Sequence, residues 1–289
     1  IITLTKSMAC AGRVAGVLEQ PTSMTYPEKD AQPRENADEA VRFDHVNFTY
    51  RNAGAPSLTD ISFRAEKGQT VGIIGGTGSG KSTLISLIPR FYDATSGTVC
   101  LDGCNVKEYT QEALCRKIAV VQQRSVLFQG TIRDNLRWGN ENASDEELWQ
   151  ALEVAQAREI VEGKEGQLDF RLEQGGRNLS GGQKQRLSIA RALVKKPEIL
   201  ILDDSSSALD YATDAALRSA IHGLGSGVTT FLVSQRIACI RQADQILVLD
   251  NGSLAGIGTH EELLESCGLY QEIFDSQFPG EREKKEGNV

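Results

Sequence analysis

"TVGIIGGTGSGKST", residues 70–83, decides the fold. It opens as a short apolar run ended by glycines, the pattern of a buried strand, and "LISLIPRF" at 84–91 continues as an apolar helix. Between them, "GGTGSGKST" at 75–83 fits G-x-x-x-x-G-K-[ST], a loop built to hold phosphate. Gly75, Gly78 and Gly80 let backbone N–H groups turn inward and line an anion-binding hollow, which Gly76, Thr77 and Ser79 complete. The helix start adds partial positive charge. Lys81 is placed to reach β- and γ-phosphates, and Ser82, followed by Thr83, to offer a hydroxyl to Mg²⁺. An ordinary glycine-rich turn is the plainer reading, and the strand–loop–helix setting speaks against it. GTPases, kinases and motors share such a loop; this chain has no N-K-x-D stretch for reading guanine, which disfavours a GTPase.

Bulk properties narrow the class further. With 40% apolar and 24% charged residues, the chain has the make-up of an ordinary soluble globular protein, and its 289 residues permit one large domain or two small ones. The net charge of −8 argues against a nucleic-acid partner, which would need concentrated Lys and Arg. Cys10, Cys100, Cys104, Cys115, Cys239 and Cys267 are scattered, and no second Cys or His pair completes a zinc site with Cys100 and Cys104. They read as reduced thiols of a cytosolic protein. No apolar run approaches the 18 residues of a membrane span. The sequence opens at Ile1 without a signal peptide, as a fragment of something longer would.

Along the chain, Ile1, Leu4, Met8, Ala11, Ala15 and Leu18 fall at helical spacing. This helix reads either as packed on its own domain or as the tail of a longer one. Pro21, Pro27 and Pro33 among polar residues make 21–40 an extended linker, so the compact domain is expected over 41–275. Ile61, Phe63 and Ala65 alternate as in a half-buried strand, and "TTFLV" (229–233) and "QILVLD" (245–250) read as buried strands. Residues 144–161 read as one helix opened by a Ser144/Glu147 capping box; Thr259 and Glu262 open a late one. The mixed-charge end, 276–289, is expected to be disordered. Alternating strands and helices indicate an α/β core with an antiparallel element in front.

"ILILDD" at 199–204 is the second half of the metal site: four apolar residues deliver Asp203 to a strand end, where it can hold Mg²⁺. Just upstream lies "LSGGQKQRLSIARAL" at 179–193. Small Ser180, Gly181 and Gly182 at a helix start, with Gln183, expose N–H donors that could meet a γ-phosphate. This stretch resembles the signature of the ATP-binding cassette (ABC) family, and the resemblance extends over nearly all of 41–275. It implies a P-loop NTPase (RecA-like) core with an antiparallel β subdomain and an α-helical subdomain, binding ATP and Mg²⁺. By the same resemblance Tyr50 stacks on adenine, Gln123 in "VVQQ" contacts the metal and senses a transmembrane domain, and Asp210 crosses a dimer interface. "SVLFQGTIRDNL" at 125–136 is more similar to exporters than importers. Residues 1–20 then look like the end of a last transmembrane helix, and the chain belongs at the cytoplasmic face of the cell membrane.

Two positions depart from the family pattern. The Walker B aspartate is usually followed by a glutamate that polarises the attacking water; here Asp204 stands, shorter by one methylene. Gln235 in "FLVSQRIACI" holds the place of the switch histidine, and it can donate a hydrogen bond but cannot relay a proton. Gln174, where exporters often have glutamate, is a weaker departure. The combination resembles the degenerate subunit of a heterodimeric exporter of drug or lipid type. Such a chain keeps ATP at its own site and lends Ser180–Gly182 to a second half-transporter. The alternatives are a soluble ABC protein of DNA repair or translation, a purely regulatory nucleotide-binding module, or a homodimeric exporter that works with Asp204.

Overall fold

Six strands form the sheet that carries the phosphate-binding loop. In spatial order they are Ser253–Gly258, Gln245–Asp250, Thr70–Gly75, Thr229–Val233, Ile199–Asp203 and Ile118–Val121. All neighbours run parallel except the hairpin formed by the first two. Ile199, Leu200, Ile201 and Leu202 are all buried, as the near-continuous apolar run of a strand covered on both faces requires. The register pairs Val233 with both Ile73 and Asp203. The segments following Gly75, Asp203 and Val233 therefore leave the sheet along one edge, where α/β folds place ligands. The computed structural model describes residues 2–20, 24–31, 38–205, 208–224 and 227–279. The expected tail from 280 onward, and residues 21–23 and 32–37 of the expected linker, lie outside them. At the start of that tail, from 276, the expectation fails, because Ser276 and Gln277 complete the helix Gly268–Gln277, packed through Phe274.

The antiparallel element is a four-stranded sheet in the order Leu58–Glu66, Glu39–Phe48, Ser96–Leu101, Cys104–Asn105. Ile61, Phe63 and Ala65 point inward with polar neighbours outward, matching the alternation in the sequence. Phe43 and Phe63 stack across its strands, ring centroids 4.7 Å apart. A helical region built from Ile132–Arg137, Asp145–Val154, Arg158–Glu162 and Gly181–Val194 is joined through Leu136, Leu148, Leu152 and Leu187, in one apolar cluster with Val121 and Leu200 of the sheet. A third apolar cluster lies under the late helices His260–Ser266 and Gly268–Gln277.

One helix boundary needs correcting, and two segments show more than the sequence did. Residues 144–161 are two helices, not one. The Ser144/Glu147 capping box is present, but Gln156 adopts φ 55° between buried Ala155 and Ala157, and the Arg186 guanidinium takes up the Gln156 carbonyl at 2.9 Å. Tertiary capping of the freed carbonyl makes the break affordable despite unbroken helical periodicity. The first helix, Ile2–Leu18, for which two readings stood, is exposed: Leu4 and Val17 are 68% and 71% exposed. Finally, residues 24–31 of the expected linker are anchored on the domain. Arg90, 3% exposed, donates to the Thr25 carbonyl at 2.9 Å, pairs with Asp93, and lies 4.6 Å from the Tyr26 ring centroid. A guanidinium taken out of water needs such partners, and the strap supplies two of them.

Candidate functional site

The strand Thr70–Gly75 ends in a close approach that only glycine allows. A Cβ on Gly75 would lie 2.2 Å from the Leu249 carbonyl oxygen and 2.6 Å from Ser79 Oγ. The loop then turns through Gly78 and Gly80, both at positive φ, into the helix Lys81–Leu87. Lys81 is buried, and its ammonium bridges the loop: Nζ donates to the carbonyls of Gly75 at 2.9 Å and Gly76 at 2.6 Å, with Ser79 Oγ at 3.4 Å. Burial pushes the Lys81 amine below its ordinary pKa, while Asp203 and Asp204 pull it up. A cavity of about 520 Å³ opens over the loop, between Gly78, Lys81 and Ser82 on one side and Pro56, Ser57 and Asn251 on the other.

Asp203 ends its strand facing the loop, and Ser82 Oγ donates to its Oδ1 at 3.3 Å. Next to it, Asp204 sits at φ 44°, its backbone N–H donating to the Val233 carbonyl at 3.0 Å. Gln123 Nε2 donates to Asp204 Oδ2 at 3.0 Å. Burial raises the pKa of both carboxyls. For Asp203 the neighbouring Asp204 adds to the rise, while Ser82 and Lys81 oppose it; for Asp204 the nearby Arg236 charge opposes it most. Two carboxylates and a hydroxyl at the mouth of a phosphate loop are hard oxygen donors, the set that suits Mg²⁺, and a cation there would relieve the cost of their burial.

The other expected residues fall into two groups. Tyr50 belongs with the loop: its hydroxyl is 3.1 Å from Thr83 Oγ1, and its ring stands edge-on to Phe48 and Tyr92. Gln235 follows the strand Thr229–Val233 and is exposed at the same sheet edge. Ser180 to Gln183 lie elsewhere. Ser180 caps the helix Gly181–Val194 and forms a reciprocal box with Gln183, and Ser180 and Gly181 are exposed. Neither they nor Gly182 and Gln183 line the cavity over Lys81. Asp210 caps the helix Tyr211–His222 and is exposed, and Gln174 is exposed on a short helical turn.

Sequence reasoning missed two contributors. Asn251 and Gly252, both at positive φ, turn the hairpin between Gln245–Asp250 and Ser253–Gly258 back onto the loop, where Gly252 N–H donates to the Ser79 carbonyl at 3.1 Å. Their Asn-Gly pair between apolar runs is a hairpin signal that could have found them. Arg236, close enough to act on Asp204, carried no such signal. A second concavity, about 340 Å³, lies beside the 125–136 segment between Phe91, Val126, Phe128, Trp138, Ser188 and Arg191. Ser188 Oγ and Arg191 Nη1 are buried there without a hydrogen-bond partner.

Residues 58–207, which contain the loop, the capped Ser180 helix start and Asp203, match the family model described as ABC transporter. The chain belongs to the ABC transporter family. Among its relatives is an uncharacterized ABC transporter ATP-binding protein of Mycobacterium tuberculosis, 45% identical over 280 residues, 96% of this chain and 48% of that protein. A Staphylococcus aureus relative with multidrug export in its name is 42% identical over 247 residues, covering 86% of this chain and 43% of its own length. A solved bacterial Atm1-family ABC exporter with ATP bound superposes with a TM-score of 0.88 at 34% identity, over 96% of this chain and 48% of that one. This ABC chain thus spans about half the length of the curated relatives it matches.

Proposed function

We propose that this chain is the ATP-binding part of an exporter, holding MgATP at a site that turns over slowly and lending Ser180–Gly182 to the hydrolytic site of a second half-transporter. The observation that carries the reading is the separation of two phosphate-suited elements. The loop around Lys81 shares its cavity with no residue of the signature, while Ser180 and Gly181 stand exposed at the start of their own helix. In this reading a γ-phosphate touched by both lies between two chains. When bound, Mg²⁺ would neutralise charge on the phosphate oxygens. Ser82 and Asp203 would hold it, Lys81 would balance the β- and γ-phosphates, and Tyr50 would support the adenine.

The slow turnover follows from side-chain length. Asp204 reaches Gln123 at 3.0 Å, but it is about 1.5 Å shorter than glutamate, and displacement of about 1 Å can cost on the order of 100-fold in rate. Gln235 can donate to a γ-phosphate without carrying charge. The relatives support the transport half of the reading, since the Mycobacterium, Staphylococcus and Atm1-family proteins are transporter or export proteins about twice as long as this chain. The groove bounded by exposed Phe91, Phe128 and Trp138, and the exposed Leu4, Met8 and Val17 of Ile2–Leu18, offer apolar surface to a membrane domain. Closure on ATP and reopening after hydrolysis in the partner's site would drive those domains between two states.

The chain alone is expected to bind ATP at millimolar affinity or better and to hydrolyse it poorly, read by calorimetry and phosphate release. Brisk hydrolysis by the purified chain sinks the slow-site reading.

A further inference from the structure

The segment that follows the strand Thr229–Val233 is held from behind by a side chain 42 positions further along. Gln277, last residue of the helix Gly268–Gln277, donates from Nε2 to the Gln235 carbonyl at 2.7 Å. Its Oε1 accepts from the Ile237 N–H at 2.8 Å. Ile237 opens the short helix Ile237–Ile240, whose preceding residue, Arg236, makes no side-chain cap. Gln277 therefore caps that helix from another one and ties down the backbone on both sides of Arg236. Only a primary amide offers a donor and an acceptor in one plane for this two-point grip. The two helices also share an apolar cluster through Ile237, Ile240, Tyr270 and Phe274, so the grip is carried on packed elements.

Other contacts fix the rest of the segment. Ser234 N–H donates to the Ile73 carbonyl at 3.1 Å, and Arg236 N–H donates to Ser234 Oγ at 3.0 Å. At the far end, Arg218, paired with Asp214, donates to the carbonyls of Ala238 at 3.0 Å and Cys239 at 3.4 Å. Between these anchors the Gln235 carbonyl is fixed by Gln277, and its side chain stays exposed at the sheet edge beside the phosphate loop. A carbonyl that moves carries its Cα and side chain with it.

We propose that Gln277 is a positioning residue: by gripping the backbone at Gln235 and Ile237 it sets where the Gln235 amide meets the terminal phosphate of ATP. The proposal rests on the reading of Gln235 as the group facing the γ-phosphate. It makes the last helix of the domain part of how the site tells ATP from ADP.

The test compares ATP and ADP affinities of the full chain by calorimetry, for the unaltered protein, Gln277→Met, Gln235→Ala and the double variant. Methionine keeps the length and lacks the amide. Gln235→Ala should lower the preference for ATP over ADP roughly tenfold, the worth of one hydrogen bond to a charged group. Gln277→Met should lower it by a similar factor with ADP affinity unchanged, and the double variant should lose no more than either single one. Equal weakening of ATP and ADP by Gln277→Met would mark a merely structural role and overturn the proposal. So would an unaltered ATP preference in Gln277→Met when Gln235→Ala has lost it. An unaltered preference in Gln235→Ala instead brings down the reading of Gln235 itself, and the proposal with it.

Discussion

Two helices in this ABC chain begin on glycine-rich turns, and their first N–H groups are treated in opposite ways. Lys81–Leu87 follows Gly80 at φ 99°, with no side chain to cap it. Its loop is closed instead by Gly75, by Gly252 and by a buried ammonium. Gly181–Val194 carries a reciprocal capping box: Ser180 Oγ accepts from Gln183 N–H at 3.3 Å and Gln183 Oε1 accepts from Ser180 N–H at 3.1 Å. The first start is a concavity that an anion completes; the second satisfies its flanking N–H groups itself and shows Gly181 to the outside. The difference teaches that a glycine-rich helix start can either be left open for an anion or be partly satisfied by its own side chains.

The comparison breaks most directly at Lys81. Lys81→Met removes the charge that meets two phosphates, and ATP affinity should fall by more than about 100-fold in calorimetry. Retained affinity would mean the uncapped start is not the nucleotide site. A somewhat smaller effect is expected from Asp204→Glu combined with Gln235→His in a dimer whose facing signature is intact. Steady-state turnover should rise on the order of tenfold to 100-fold. No gain would place the slow step elsewhere. The smallest effect sharpens the other half of the comparison. Ser180→Ala loses the cap and should cost about 1 kcal/mol of stability, read as a lower melting temperature. The chain's own ATP affinity should stay within about twofold, because Ser180 lies outside its cavity. A large loss of ATP affinity would show the two starts serving one site.

Much of the site could be read directly from short stretches. The loop 75–83, Asp203 and the capped Ser180 turn are each specified within a dozen residues, because glycine placement, a lysine and a strand end are local chemistry. The strands Thr70–Gly75, Thr229–Val233 and Gln245–Asp250 announced themselves as apolar runs between polar breaks. Apart from the local Asn251–Gly252 turn, the missed features are long-range. Gln156 breaks a helix because Arg186, 30 positions away, takes its carbonyl. Arg90 holds the strap across 65 positions. Gln277 was invisible as a contact to Gln235 since nothing near either residue encodes the other.

The order of amino acids alone thus determined a glycine-rich loop ending in Lys81, a strand end carrying Asp203 and Asp204, and a second glycine-rich helix start. Periodicity and backbone sterics act between neighbours and need no fold to be felt. Tertiary structure decided their placement: the parallel register lines up Gly75, Asp203 and Val233 at one edge, and Ser180 lies outside the cavity over Lys81. It also decided what steadies Gln235, since a side-chain amide and a backbone carbonyl 42 positions apart meet only after two helices have buried Ile237 against Phe274.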